Sequence, residues 1–126
     1  MVNKKGSNES PSLISRFDKE IKGSLITLLI LLIIKQNNKT YGYEIKKFLK
    51  ELIPMDEFLP DSSLYTILRS LQNRYELIES EQGETKVYYS ITPKGEEELN
   101  LSIDYWNKIQ ITANNAISCL LKEKRE

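Results

Sequence analysis

Apolar residues fall along this chain in three different patterns. Leu64, Ile67, Leu68 and Leu71 are spaced three, one and three residues apart, which is one face of an α-helix. Ser62, Ser63, Tyr65, Thr66, Arg69 and Asn73 lie off that stripe, so the helix has one face to bury and one rich in hydrogen-bonding groups. The period then changes to two. Ile78, Ser80 and Gln82 share a face, as do Thr85, Val87, Tyr89 and Ile91, and Gly83-Glu84 between them predicts a type II′ hairpin turn with glycine first. The third pattern is near-continuous: Ser24 to Ile34 reads SLITLLILLII, apolar on almost every side. A helix of that kind must be covered on both sides, here by the domain core and by another chain.

These patterns place the remaining elements in order. Residues 1–12, polar and carrying Gly6 and Pro11, form a flexible tail whose Lys4 and Lys5 could reach DNA phosphates, although solvated tail lysines are the simpler account. A helix follows from about Ser12 to Gln36, with Gly23 as its weak point. Thr40 is placed to cap the next helix, Tyr41 to Leu52, which buries Ile45, Phe48, Leu49 and Leu52 and leaves Lys46, Lys47 and Lys50 off the stripe. Pro54 and Pro60 bracket the loop that leads to the polar-faced helix. After the hairpin, Thr92-Pro93 starts a helix that nothing interrupts until about Lys122. Thirty residues make about 45 Å of helix, longer than the roughly 36 Å width of a compact chain of this size. Leu99, Ile103, Trp106, Ala113, Ile117 and Leu120 recur at steps of four and three once Gln110 is included, the spacing of a helix-to-helix seam. With Leu25, Leu28, Leu29 and Leu32 of the first helix, they make homodimerisation the economical expectation.

The architecture expected is mainly α with a small β-hairpin: a winged helix-turn-helix over residues 13–91, the order in which a recognition helix is presented to the major groove, and a long C-terminal dimerisation helix over 92–126. Composition narrows the function. Lysines and arginines number 18 against 18 aspartates and glutamates, so net charge gives no sign of nucleic-acid binding. The distribution says more than the sum: residues 1–50 hold 10 basic and 4 acidic side chains (+6), residues 51–126 hold 8 and 14 (−6). If the protein binds phosphate, the amino-terminal half must supply much of the charge. With no histidine and only Cys119, there is no His-based base or metal site and no internal disulfide; no cofactor or metal is expected, and a reducing, cytoplasmic setting fits. The apolar run Leu25 to Ile34 is about 10 residues, half the roughly 20 that cross a bilayer, so no membrane partner is expected.

KGSLITLLILLI, TYGYEIKKFL, SSLYTILRSL and KVYYSITPKGEEEL resemble, in order and spacing, four signature segments of the PadR family of winged-helix transcriptional regulators. The resemblance covers about residues 20–100, and its single C-terminal helix is similar to the short branch of that family. It implies a homodimeric regulator of double-stranded DNA, often a repressor relieved by a small molecule, and not an enzyme. DNA contacts are then expected from Tyr41, Lys46, Ser62, Ser63, Tyr65, Thr66, Arg69, Asn73 and Lys86. IDYWNKI resembles a segment in which paired tryptophans of the two subunits sandwich planar drugs, which makes Trp106, with Ile103 and Ile109 near it, the expected site for a small planar hydrophobic ligand. The chain departs from the family pattern in three places. Tyr75 stands where glycine is usual after the recognition helix, with one residue extra; Ser70 replaces a basic residue; and the wing carries Glu79, Glu81 and Glu84 against Lys86 alone. Carboxylates repel phosphate, so this wing should add little to affinity.

Duller readings stand beside these. Tyr65 could be a packing residue, Arg69 a solvated cation, Ser62 or Ser63 a helix cap, and Trp106 a seam residue needing no ligand. An enzyme would need an activated nucleophile or acid-base pair, and none is visible. The alternatives are a winged-helix protein-interaction module and an architectural DNA binder without a specific operator.

Overall fold

The computed structural model describes residues 12–53 and 61–125. The tail and the proline-bracketed loop expected above lie outside the described residues. Ser12 starts the first helix by accepting a hydrogen bond at 3.0 Å from the Ser15 amide, and α1 runs Leu13–Asn37, through Gly23 without a break. It ends where the Asn37 side chain donates back to the Ile33 carbonyl at 2.8 Å and Asn38 takes a left-handed φ of 60°. With ψ −70°, Asn38 is the centre of a three-residue turn that Lys39 N–H closes by donating to the Asn37 carbonyl at 2.6 Å.

Thr40 does not cap the second helix. Thr40–Tyr41 forms a two-residue strand, β1, paired antiparallel with the later strand β3 (Val87–Ile91), with Thr40 opposite Tyr89 and Tyr41 opposite Tyr88. The helix α2, Gly42–Leu52, has Tyr41 as its N-cap residue with no side-chain cap bond. The fully buried Thr40 hydroxyl donates instead to the Glu44 carboxylate at 2.7 Å. Helix α3 covers Asp61–Asn73, and β2, Ile78–Gln82, pairs with β3 to complete a sheet of order β1-β3-β2. Ile78, Ser80 and Gln82 face Ile91, Tyr89 and Val87 across the ladder, the same-face sets expected from the alternation. The turn is not type II′. The ladder stops at Gln82 and Val87, Gly83 to Lys86 form a four-residue connection closed by Gly83 N–H donating to the Lys86 carbonyl at 2.7 Å, and no described glycine has a positive φ. A longer loop relieves the strand-twist constraint that makes positive φ necessary in two-residue turns.

The core lies where α1, α2 and α3 converge under the sheet. Ile26, Ile30, Ile34, Ile45, Leu49, Leu64, Leu68 and Ile78 are fully buried there. At the end of α3 the extra residue is absorbed by widening the last turn: Tyr75 N–H bonds back five residues to the Ser70 carbonyl, and Leu77 N–H six residues to Leu71. The left-handed position falls on Glu76, φ 61°, one residue later than the expected place at Tyr75.

Helix α4, Pro93–Arg125, starts as its sequence predicts, with Thr92 Oγ1 accepting from the Gly95 amide at 3.0 Å. The same hydroxyl donates to the Glu76 carbonyl at 3.0 Å, pinning the widened turn to the start of α4. A Cβ at Gly95 would collide with the Leu77 carbonyl oxygen, so this helix can approach the backbone only through glycine. Lys35 and Glu96 form an ion pair at 3.6 Å between α1 and α4. Leu99 is 1% exposed, which makes it a core residue of its own chain with no surface left for a seam; this corrects its expected place in the dimer contact. Beyond Trp106 every described side chain through Lys122 is exposed. No described helix is long and apolar enough to cross a membrane.

Candidate nucleic-acid interface

Because Leu64, Leu68 and Leu71 anchor α3 from one side, Ser62, Tyr65, Thr66, Arg69 and Asn73 face outward together. Ser63 is half-buried. Ser62 and Ser63 both lie inside the first turn of α3, and the Thr66 hydroxyl donates to the Ser62 carbonyl at 2.8 Å. That bond leaves the Thr66 oxygen as an acceptor. Among the described residues no carboxylate pairs with Arg69, so its planar fork can serve phosphate or a guanine edge.

Two shallow grooves meet on this side of the molecule. One, of about 380 Å³, is lined by Gly42, Tyr43, Lys46, Lys47 and Lys50 of α2 and by Leu64 and Tyr65 of α3. The other runs from Tyr65 toward the wing past Tyr41, Thr85, Lys86, Val87 and Tyr89. Gly42, Tyr43 and Tyr65 belong to both, and together the grooves form one concave strip, cationic at the α2 end and aromatic at the wing end. The structure thus brings together Tyr41, Lys46, Tyr65 and Lys86 of the expected contact set. Burial holds the Tyr89 phenol above its ordinary pKa; the nearby Tyr65 phenol adds to this, and the Arg69 guanidinium opposes it. Tyr65, Arg69 and Tyr89 therefore form one electrostatic neighbourhood between α3 and the wing.

The wing itself is quiet. Lys86 Nζ lies 5.0 Å over the Tyr41 ring, and that ring meets Tyr88 edge-on at 5.8 Å. Glu81 is paired with Lys39 at 3.1 Å, while Glu79 and Glu84 are exposed. Tyr89 packs against the core and Tyr88 against Tyr41.

Besides Leu64, Thr85, Val87 and Tyr89, the strip residues outside the expected contact set are Gly42, Tyr43, Lys47 and Lys50. The lysines were visible as off-stripe cations. Tyr43, 70% exposed, and Gly42 become part of the site only through the approach of α3 to α2, which no local pattern encodes.

A third groove, of about 630 Å³ and mainly apolar, opens between α1 and α4. Ile21, Leu28, Leu31, Leu101, Tyr105, Trp106 and Ile109 line it over a floor of Leu71 and Leu77. Trp106 and Ile109 are thus neighbours in one concavity, whereas Ile103 turns to the core and does not line it. Leu25, Leu28, Leu29 and Leu32 are each half-buried, and Ala113, Ile117 and Leu120 are exposed. Among the described residues no group of side chains is arranged to hold a metal ion.

Comparison with known proteins bears on this geometry. The family described as "Transcriptional regulator PadR-like family" matches residues 30–101. A PadR-like transcriptional regulator from Bacillus cereus is 31% identical, with 79% of this chain and 96% of that one covered at a TM-score of 0.64. A PadR family transcription regulator from Clostridium difficile is 28% identical over 73% of this chain and 97% of its own, at 0.62. A PadR family regulator from Eggerthella lenta, 20% identical over 83% and 92%, shares the fold at 0.67. No curated protein matches the chain.

Proposed function

The chain belongs to the PadR-like family of transcriptional regulators, and from that premise we propose that it is a cytoplasmic repressor that binds an inverted-repeat operator as a homodimer and is released by a small planar hydrophobic ligand. The observation that carries this reading is the continuous strip of α2 lysines, Tyr65 and the outward face of α3. Lysines and tyrosine hydroxyls on α2 and α3 suit phosphate, while Arg69, Asn73 and Ser62 on the outer face of α3 suit base edges. The acidic wing leaves most of the counterion release to Lys46, Lys47 and Lys50, which fits the +6 excess of the amino-terminal half.

Dimerisation supplies the second half-site. The exposed apolar residues Leu13, Ile14, Phe17 and Ile21 of α1 and Ile109, Ile117, Leu120 and Leu121 of α4 support a second copy of the chain as their cover. A twofold pair then sets two α3 helices about one helical turn, roughly 34 Å, apart. The ligand is proposed to enter beside Trp106, where it favours a dimer geometry that no longer matches the operator.

The test is selection of bound fragments from a random duplex pool, followed by titration at several salt concentrations. Steep salt dependence with an inverted repeat is expected. Arg69→Ala should weaken binding to the selected duplex by about 1 to 3 kcal/mol. Binding without sequence preference would make the chain an architectural DNA binder. Absence of binding would make it a protein-interaction module.

A further inference from the structure

We propose that Gly42 is a positioning residue for DNA recognition: the space left by its missing side chain is where the Tyr65 ring lies, and this fixes the phenol at the junction of the two grooves. This rests on the DNA-binding reading above and deepens it.

A Cβ built on Gly42 would overlap the Tyr65 hydroxyl and lie 2.7 and 2.9 Å from ring atoms Cζ and Cε1. The hydroxyl end of the ring, then, sits directly over the first residue of α2. The backbone does not ask for glycine here, since Gly42 has no positive φ and alanine is the better helix former. What glycine provides is room. A tyrosine on an exposed helix face ordinarily loses rotamer freedom when it binds, and one already held against α2 has less to lose. Tyr65 is 42% exposed, seated on one side and open on the other, and it borders both the lysine groove and the wing groove. The three atoms nearest to a methyl at residue 42 all belong to the far end of a movable side chain. The fold can keep its backbone, and the tyrosine must swing away from the junction.

The experiment uses the full chain as wild type, G42A, Y65A and the double variant, with a duplex selected from a random pool by the wild type and a scrambled duplex as control. G42A is expected to unfold at or above the wild-type temperature and to bind the selected duplex about tenfold more weakly, the size of one lost hydrogen bond. The slope of affinity against salt should not change, because tyrosine is a neutral donor and releases no counterion. Y65A should lose about as much, and G42A/Y65A no more than Y65A alone. In the wild type the Gly42 α-protons should be shifted by the ring current, and Y65A should remove that shift. Wild-type affinity in G42A, failure of G42A to fold, or full additivity in the double variant overturns the proposal; additivity would mean that residue 42 meets DNA itself. A wild-type chain that binds no duplex at any salt ends the DNA-binding reading and this inference together, whereas binding with an unaltered G42A ends the inference alone.

Discussion

The two ends of α4 have opposite surroundings. At its start, Thr92 caps the helix, Gly95 touches the Leu77 carbonyl, Glu96 pairs with Lys35 and Leu99 is sealed in the core. Toward its end, Ile117 is 57% exposed and Leu120 65%, and no side chain from Asn107 to Lys122 is even half-buried. One uninterrupted helix spans both conditions, so helix propensity does not distinguish them. Packing does: an isolated helical segment in water is marginal, and its stability in proteins comes from a buried face. The start of α4 has such a face within its own chain. Its end has apolar residues spaced to make one and nothing among the described residues of the same chain to bury them against, and the N-terminal part of α1, with Leu13, Ile14, Phe17 and Ile21 exposed, is in the same position. The contrast separates a closed domain, proposed to read DNA, from open arms whose proposed cover is a second copy.

The sharpest way to break the comparison is at its closed end. Gly95→Ala forces backbone apart, because the obstructing atom is a carbonyl oxygen and not a side-chain tip. A loss of about 2 to 3 kcal/mol is expected in urea unfolding. Asn115→Ala, on the exposed half of the same helix, should change stability by less than about 0.5 kcal/mol. Equal losses at the two sites would erase the distinction between the ends.

The open end is tested by charge. Ile117→Lys places an ammonium group where the second copy is proposed to pack, and a lone exposed helix would accept it at almost no cost. Weakening of the dimer by at least tenfold, about 1.4 kcal/mol, is expected in sedimentation at graded concentrations. A distribution identical to wild type would mean that this arm is not covered by another copy.

How much of this was legible in the sequence depended on the range of the interaction. The helices were, because Leu64, Leu68 and Leu71 carry their burial in local periodicity. The Thr92-Pro93 start was as well, since a cap acts within three residues. β1 was not: a two-residue strand has no period, and its partner Tyr89 is far along the chain. Thr40 accordingly read as a cap, although its hydroxyl bonds to Glu44 beneath the sheet. The type II′ turn failed because a glycine at a hairpin tip signals either a two-residue turn or a longer loop, and the ladder register decides. Heptad spacing showed that Leu99 faces another helix without showing whose, and the structure gives it to its own core. For the site, the outward face of α3 and the lysines of α2 could be read residue by residue. The seat of Tyr65 on Gly42 could not, because it exists only where two elements meet.

A modest gain is expected where the closed and open parts of α1 join. Gly23 lies in mid-helix, and a Cβ there would meet nothing within 4 Å. It shares a helix side with Ile26, Ile30 and Ile34, three, seven and eleven residues on, just past the edge of the core they fill. The exposed stripe of Leu13, Phe17 and Ile21 lies on another side. A second copy that covers this stripe therefore leaves residue 23 clear. Glycine in a helix interior costs about 0.5 to 1 kcal/mol relative to alanine. Gly23→Ala should accordingly raise the unfolding free energy by that amount without altering the monomer-dimer equilibrium. A gain in stability with an unchanged dimer places the partner on the Phe17 side alone. A loss of stability that grows with protein concentration would show that the partner wraps onto the core side of α1 as well, so that the boundary between closed domain and open arm would lie nearer to Ile26 than the single chain indicates.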